Sequence, residues 1–430
     1  MKLFIFLFLF FSLIGCRSVT VLMPQGEENT FRSLQQYIDE SPALQTYFLG
    51  VQLYDLGAKE VVFSKNESHF FTPASVTKWL TLYSATQSLS DSIAFMNVYK
   101  QNGKTIFQPL GDPSFLHPDV QTEPQILDFF ENQTVDTIYW SDQHFQDQRF
   151  GSGWAWDDYE YYFQPEKSVF PIQSNLLRFE KDSVSPTFIA SEIYFNFSEN
   201  QPTRTWDENR FFVDRSDRVR YIPFRVDSLV LKNYFVEKHK RVVPVSEALL
   251  PENLVKTFYS KPSDSLYQLL MQNSDNHIAE QLLLQVSQQQ LGFMNTEAAI
   301  THAKENWYSD IAEDLLWVDG SGLSRYNMVT PAAIVQVINN TVSEQKMDWL
   351  QEILPAGGQS GTLKNNYAFS PPRVYAKTGT LRHNHNLAGI VQAKSGKWYS
   401  FCIMNNHIPG SSSIAKAEME NLLQLIVELY

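Results

Sequence analysis

The chain opens on an apolar run at residues 3–14, preceded by Met1-Lys2 and followed by Gly15-Cys16. A run this short does not span a bilayer; its basic start and small-residue end match the apolar core of an export signal. Residues 17–28 are polar and irregular and read as a tether. Phe31, Leu34 and Ile38 then fall on one helical stripe. Residues 47–55 read as a strand, Leu56-Gly57-Ala58 as a turn, and 60–63 as the returning strand of a hairpin. Thr72-Pro73-Ala74 introduces helical apolar spacing from Ser75 to about Leu89, with proline and serine at the positions that suit a helix entry.

Residues 95–245 change character. Short β-like runs at 105–109, 137–140, 176–180, 192–197 and 220–226 are separated by turn residues, which predicts a β-rich region inserted into the chain. A long helix-like stretch follows from 263 through 284 to about 290. Residues 374–380, 387–393 and 398–405 alternate as strands, the last two joined by the turn Lys394-Ser395-Gly396-Lys397, and 415–427 form an amphipathic helix. Strands near both chain ends predict an α/β (α+β) fold, an antiparallel sheet flanked by helices. Its discontinuous domain comprises 29–94 and 246–430, with 95–245 inserted. The pattern leaves open whether the ends pair.

At 430 residues, with 43% hydrophobic and 19% charged positions, the chain is long enough for a sizeable core and too apolar to be disordered. A formal net charge of -13 argues against nucleic-acid binding, which needs a basic face. The 31 Phe, 20 Tyr and 9 Trp are read mainly as core packing, with some open to stacking on sugar rings. Only Cys16 and Cys402 are present, so there is no disulfide framework. Cys402 lies in an apolar run and reads as a small buried hydrophobe. Cys16 stands at the small-residue cleavage position, where Leu13-Ile14-Gly15-Cys16 resembles a bacterial lipobox. The alternative is a plain secretory signal in which Cys16 is incidental. Lipidation of Cys16 would anchor the mature protein to a membrane outside the cytoplasm. Arg17 stands after Cys16, where inner-membrane retention uses an aspartate, so the outer membrane is favoured.

Three short motifs carry candidate chemistry. In Ser75-Val76-Thr77-Lys78 the i, i+3 spacing places the Lys78 amine beside the Ser75 hydroxyl on one helical face. A serine needs a neighbouring base to become a nucleophile, and a lysine whose pKa is lowered can be that base. Ser343–Lys346 and Ser413–Lys416 have the same spacing, so this signal alone is weak. In Ser274-Asp275-Asn276, Ser274 can relay a proton and the Asn276 amide can hold a carbonyl or orient a lysine. Ser64-Lys65-Asn66 and Ser198-Glu199-Asn200 share that pattern. Lys377-Thr378-Gly379-Thr380 ends a strand; it offers a cation, hydroxyls and a glycine that admits a ligand close to the backbone. Lys394-Ser395-Gly396 is similar, but reads as a plain turn.

The three motifs in this order, together with Pro73-Ala74-Ser75, Gly111-Asp112-Pro113, Gly153-Trp154-Ala155-Trp156-Asp157-Asp158, Ser274-Asp275-Asn276-His277-Ile278-Ala279-Glu280, Asp319-Gly320-Ser321-Gly322-Leu323-Ser324-Arg325 and Asn386-Leu387-Ala388-Gly389, resemble one family. It is the PBP4-like D-alanyl-D-alanine carboxypeptidases and endopeptidases, peptidase family S13. The resemblance runs from about residue 30 to the C-terminus. The 199 residues between Ser75 and Ser274 leave room for the extra β-rich subdomains of that family.

The resemblance implies a serine β-lactamase/penicillin-binding fold and a cofactor-free peptidase acting on peptidoglycan stem peptides, with β-lactam antibiotics as inhibitors. It implies Ser75 as the acylated nucleophile, Lys78 as general base, Ser274 as proton relay and Asn276 as the group that positions substrate and Lys78. Lys377 and Thr378 would receive the terminal carboxylate of D-Ala-D-Ala, beside Gly379 and Thr380, with the N–H groups of Ser75 and Thr380 as oxyanion hole. Asp158 is the candidate for a substrate side-chain amine, against a reading as an ordinary acidic loop. Asp319-Gly320-Ser321-Gly322 lines the cleft floor or is purely structural. His383 and His385 would share one strand face; without a third ligand nearby they are not read as a metal site. A β-lactamase of the same fold and a catalytically silent lipoprotein that binds cell-wall peptides are the alternatives.

Overall fold

The computed structural model describes residues 25–131, 137–181, 183–194, 202–213, 218–238, 240–244 and 254–430. The export signal, Cys16 and most of the tether lie outside the described residues, as do the end of the strand expected at 192–197 and the boundary expected at 245.

In chain order, helix α1 (Gln25–Glu40) leads into the hairpin β1 (Phe48–Asp55) and β2 (Glu60–Lys65). The helix expected from Ser75 begins instead as a 3₁₀ turn, Ala74–Thr77, and becomes α2 only at Lys78–Ser88. Next come β3 (Ser92–Gln101), β4 (Lys104–Pro109), β5 (Thr137–Trp140), β6 (Arg241–Pro244) and β7 (Leu254–Pro262). The single helical stretch expected after residue 263 is broken. Ser263–Gln268 runs into a wide turn at Leu269–Asn273, Ser274 adopts φ 59, and α3 (Asn276–Leu291) starts afresh. Helix α4 (Pro331–Glu344), strands β8 (Val374–Leu381), β9 (Asn384–Gln392) and β10 (Trp398–Asn406), and helix α5 (Ser413–Leu429) complete the frame.

The central sheet has the order β8-β9-β10-β1-β2. Its β1–β10 contact is antiparallel, from Phe48 opposite Asn406 to Asp55 opposite Tyr399, so the two ends of the chain do pair. One face packs on α1 and α5, where Leu34, Ile38, Leu422 and Ile426 are buried beside Leu53, Phe401 and Ile403. The other face packs on α2, α3 and α4 through Trp79, Leu282, Ile338 and Met404, and Cys402 lies buried in that layer.

A second sheet, β6-β5-β4-β3-β7, pairs β3 with β7 and so carries the chain out of the frame and back. Its core is aromatic. Phe95, Phe107, Phe115, Phe130 and Phe170 meet at centroid distances from 5.2 to 6.4 Å, mostly edge-to-face or tilted, as ring quadrupoles prefer. This layer grips the frame through Lys167, whose Nζ donates to Asp147 Oδ2 at 2.9 Å and to Thr296 Oγ1 at 3.0 Å. No helix among the described residues is long and apolar enough to cross a membrane.

Candidate active site

Ser75 lies in the 3₁₀ turn, immediately after Ala74, whose φ of 50 is left-handed and unusual for alanine. Strain of this kind persists only where the surroundings over-determine it. A Cβ on Gly322 would fall 1.9 Å from the Ala74 carbonyl oxygen, and one on Gly379 would fall 2.3 Å from the Pro73 oxygen and 3.1 Å from Ser75 N. A loop and a strand thus close on the turn at glycine-only distances. Asn386 Nδ2 holds the turn to the sheet by donating to the carbonyls of Thr72 and Pro73, at 2.8 and 2.9 Å.

Lys78 is fully buried. Its Nζ donates to Ser75 Oγ at 3.1 Å, Asn276 Oδ1 at 2.6 Å and the Ser321 carbonyl at 2.7 Å, which uses all three N–H bonds of an ammonium. Burial lowers its pKa to about 8, while the charges of Asp319, Glu280 and Asp275 pull it back up. An amine in this range is uncharged often enough near neutral pH to accept a proton.

The break at Ser274 lets Asp275 cap α3, accepting from Ile278 N at 2.9 Å, and leaves Asn276 at the first helical position. Asn276 reaches Lys78 with its carbonyl and donates its amide to the Phe163 carbonyl at 2.8 Å. One side chain therefore couples the lysine to a loop of the inserted region.

The Asp319-Gly320-Ser321-Gly322 turn is shaped by two buried carboxylates. Asp319 accepts from Trp154 Nε1 at 2.8 Å, Gly322 N at 2.9 Å, Ser324 N at 2.6 Å and Asn327 Nδ2 at 2.7 Å. Glu280 accepts from Gly320 N at 3.2 Å and Ser321 N at 2.8 Å. Burial and the Asp319 charge beside it push the Glu280 pKa up to about 7. The turn presents the Ser321 carbonyl to Lys78, while Gly322 and Leu323 reach the cleft. It serves both readings left open by the sequence.

The cleft has a volume of about 490 Å³, and Ser75, Ser274, Asn276, Thr378, Thr380 and Asp158 all line it. Lys78 and Lys377 stand behind its wall. Lys377 is fully buried on β8; its Nζ donates to the Thr378 carbonyl at 2.7 Å, and burial, then the charge of Lys78, holds its pKa well below the ordinary lysine value. In this arrangement its amine contacts the strand backbone and does not itself line the cleft. Gly379 faces away, onto the 3₁₀ turn.

Burial and then Asp157 raise the Asp158 pKa, opposed by the charge of Arg325. Arg325, Tyr162, Phe163, Thr362 and Arg382 also line the cleft and were not singled out from sequence. Arg325 ended a quoted motif, but nothing in linear spacing sets it near Asp158. The two histidines do not share a strand face. His383 occupies the turn between β8 and β9 with φ 71, and its Nδ1 pairs with the Ile408 carbonyl at 2.8 Å. His385, on β9, is buried with Nδ1 at 2.8 Å from Thr380 Oγ1. They belong to no common strand, because the chain reverses through Arg382-His383 between β8 and β9. Among the described residues no three His, Cys, Asp or Glu side chains gather as a metal site.

A serine at a strained turn, a buried lysine within reach of its hydroxyl and a Lys-Thr-Gly strand along the cleft define a serine acyl-transfer enzyme of the penicillin-binding type. The model of the D-Ala-D-Ala carboxypeptidase 3 (S13) family matches residues 31–210 and 238–427, and the chain belongs to this family. It is therefore a hydrolase, a serine-type D-Ala-D-Ala carboxypeptidase. It is similar to D-alanyl-D-alanine carboxypeptidase DacB of Haemophilus influenzae, with 24% identity over 87% of this chain and 89% of that one. The fold matches the crystal structure of penicillin binding protein 4 from Haemophilus influenzae, with a TM-score of 0.74 and 20% identity over 92% of this chain and 99% of that one. It also matches a predatory peptidoglycan endopeptidase from Bdellovibrio bacteriovorus, with a TM-score of 0.52 and 14% identity over 89% and 92%.

Proposed function

We propose that the chain cleaves D-Ala-D-Ala ends of peptidoglycan stem peptides through an acyl-enzyme on Ser75. The observation that carries this is the contact of the buried Lys78 amine with Ser75 Oγ, 3.1 Å away, and with Asn276 Oδ1. Neutral Lys78 takes the Ser75 proton as Oγ bonds to the penultimate D-Ala carbonyl carbon. The N–H groups of Ser75 and Thr380 receive the developing oxyanion, a contribution worth about 10²–10³ in rate per donor. The C–N bond then breaks, and the proton passes by way of Ser274 to the departing amine. Water attacks the ester, releases the shortened peptide and returns the proton to Ser75. An endopeptidase cut follows the same steps when the departing amine belongs to a cross-linked D-centre. Thr378 and Thr380, with the Lys377 charge behind them, hold the carboxylate beside that amine; Asp158 faces the side-chain amine of the stem peptide.

A β-lactam follows the same path to a stable adduct, and the Haemophilus influenzae penicillin binding protein 4 has been solved in complex with one. Intact-mass spectrometry of residues 17–430 after benzylpenicillin tests the proposal. The wild type is expected to gain one drug mass and Ser75→Ala none. An unmodified wild type would sink it, and drug hydrolysed without an adduct would indicate a β-lactamase.

Export and lipid anchoring at Cys16, with the catalytic domain facing the periplasm and the outer membrane as the favoured anchor, rest on the Leu13-Ile14-Gly15-Cys16 pattern. Expression with a labelled fatty acid is expected to label the wild type and not Cys16→Ser. Equal labelling of both would refute the anchor.

A further inference from the structure

The loop of residues 153–164, in the inserted region, touches the groups around Lys78 at two points. Near its start, Trp154 Nε1 donates to Asp319 Oδ2 at 2.8 Å. Near its end, the Phe163 carbonyl accepts from Asn276 Nδ2 at 2.8 Å. The loop is tied across its base by the buried Gln164, whose Nε2 donates to the Ala155 carbonyl at 3.1 Å. Inside it, Asp158 N bonds the Ala155 carbonyl at 3.2 Å and Tyr161 N the Asp158 carbonyl at 3.0 Å. The two contacts therefore belong to one compact body.

Each contact ends on a group that holds the lysine. An asparagine amide has a donor end and an acceptor end. The Phe163 carbonyl takes the donor end of Asn276, so its oxygen is turned to Lys78 Nζ, 2.6 Å away. Asp319 closes the turn whose Ser321 carbonyl accepts from Nζ at 2.7 Å. Apart from Ser75 Oγ, the acceptors of the Lys78 amine are thus both backed by this loop.

The charged groups that act on Lys78 are the carboxylates of Asp319, Glu280 and Asp275 and the amine of Lys377. Asp319 has the strongest pull of the three carboxylates. Gly322 N, Ser324 N and Asn327 Nδ2 also hold it, so it stays in place without the indole. What the indole N–H takes away is part of its field, because a donor on a carboxylate oxygen draws charge from it. The indole is aimed by Gly151, where an added Cβ would fall 2.4 Å from Trp154 Nε1.

We infer that this loop is part of the base machinery, with Trp154 and Gln164 as its positioning residues. Trp154 tempers the grip of Asp319 on the Lys78 ammonium. Gln164 keeps the Phe163 carbonyl where it turns the Asn276 oxygen to the same ammonium. The inserted region then acts on acylation of Ser75 by any ligand, including a β-lactam that carries no stem-peptide side chain. The inference rests on the reading of Lys78 as the base for Ser75.

The test follows benzylpenicillin acylation of the full chain by stopped flow from pH 6 to 10. Trp154→Phe keeps an aromatic ring and loses the N–H. Its midpoint is expected to rise by about half a pH unit, so that the rate at pH 7 falls about threefold while the plateau stays within about twofold. Gln164→Met unties the loop and loosens the Asn276 oxygen on the ammonium; its midpoint is expected to fall by about half a unit. Trp206→Phe is the control. It thins the aromatic packing around Phe150, which Trp154 also touches, without entering the hydrogen bonds to Asp319 or Asn276, and its midpoint is expected to stay put. Shifts of opposite sign do not come from general loosening. An unmoved midpoint in either folded variant, or uniform slowing of both at every pH, would overturn the inference. A flat wild-type profile rejects Lys78 as the base and the inference with it; a titrating wild type with unmoved variants rejects the inference alone.

Discussion

Lys78 Nζ lies 3.1 Å from Ser75 Oγ across a single 3₁₀ turn. The same burial that brings the amine to the hydroxyl lowers its pKa to about 8, so geometry and proton affinity have one cause. A lysine on the exposed face of a helix would have the spacing without the basicity.

The pH dependence of acylation follows from this. Below the midpoint Lys78 is an ammonium and cannot accept the Ser75 proton; above it the amine is free. The rate of benzylpenicillin acylation is expected to climb about tenfold per pH unit below the midpoint. It should level off above about 8. Stopped-flow measurements from pH 6 to 10 check this, and a flat profile would remove Lys78 as the base.

Glu280 acts on that midpoint from a distance. It holds Gly320 N and Ser321 N, fixing the carbonyl that Lys78 bonds, and its charge raises the lysine pKa. Glu280→Gln is therefore expected to move the midpoint of the acylation profile downward. It should also slow the plateau rate by about tenfold, because the carbonyl is less firmly held. A slower plateau with an unmoved midpoint would leave Glu280 as scaffolding only.

Gly322 tests the close approach over the nucleophile. With φ 83 and the Ala74 oxygen 1.9 Å from any added Cβ, Gly322→Ala must displace the turn carrying Ser75. We expect a loss of about 3 kcal/mol or more in urea unfolding and a loss of benzylpenicillin labelling. Gly396→Ala is the control: φ is 89 there, but nothing lies within 4 Å of the new atom. It should cost about 1 kcal/mol through backbone strain and leave labelling intact.

Asp158 lines the cleft near the charge of Arg325. For Asp158→Asn the expected result is a rise in KM of about tenfold for stem peptides whose third residue carries a free amine. Peptides with that amine acetylated should be unaffected. Comparable losses on both substrates would return Asp158 to the status of an acidic loop residue.

Much of the frame was legible because its signals are local. The hairpin after residue 47, the three strands after 374 and the closing helix each carry their periodicity within one element, and a shift of one to three residues at the ends is all the structure changed. Ser75 and Lys78 needed only one helical turn to be recognised as neighbours. The break at Ser274 was less visible. Apolar spacing continues on both sides of it, and a left-handed serine is held by contacts that hydrophobic pattern does not record.

Other features depend on pairing across hundreds of residues. By itself the sequence determined the candidate side chains for the chemistry, most of the strands and helices in their order along the chain, and the acidic balance. Only the tertiary structure decided that β1 and β10 adjoin, that Asn276 reaches Lys78 from 198 positions away, and that Lys377 stands behind the cleft. It also set Trp154 of the inserted region against Asp319. Periodicity reports which face of an element is buried, whereas a pKa or a binding site depends on what that face is buried against.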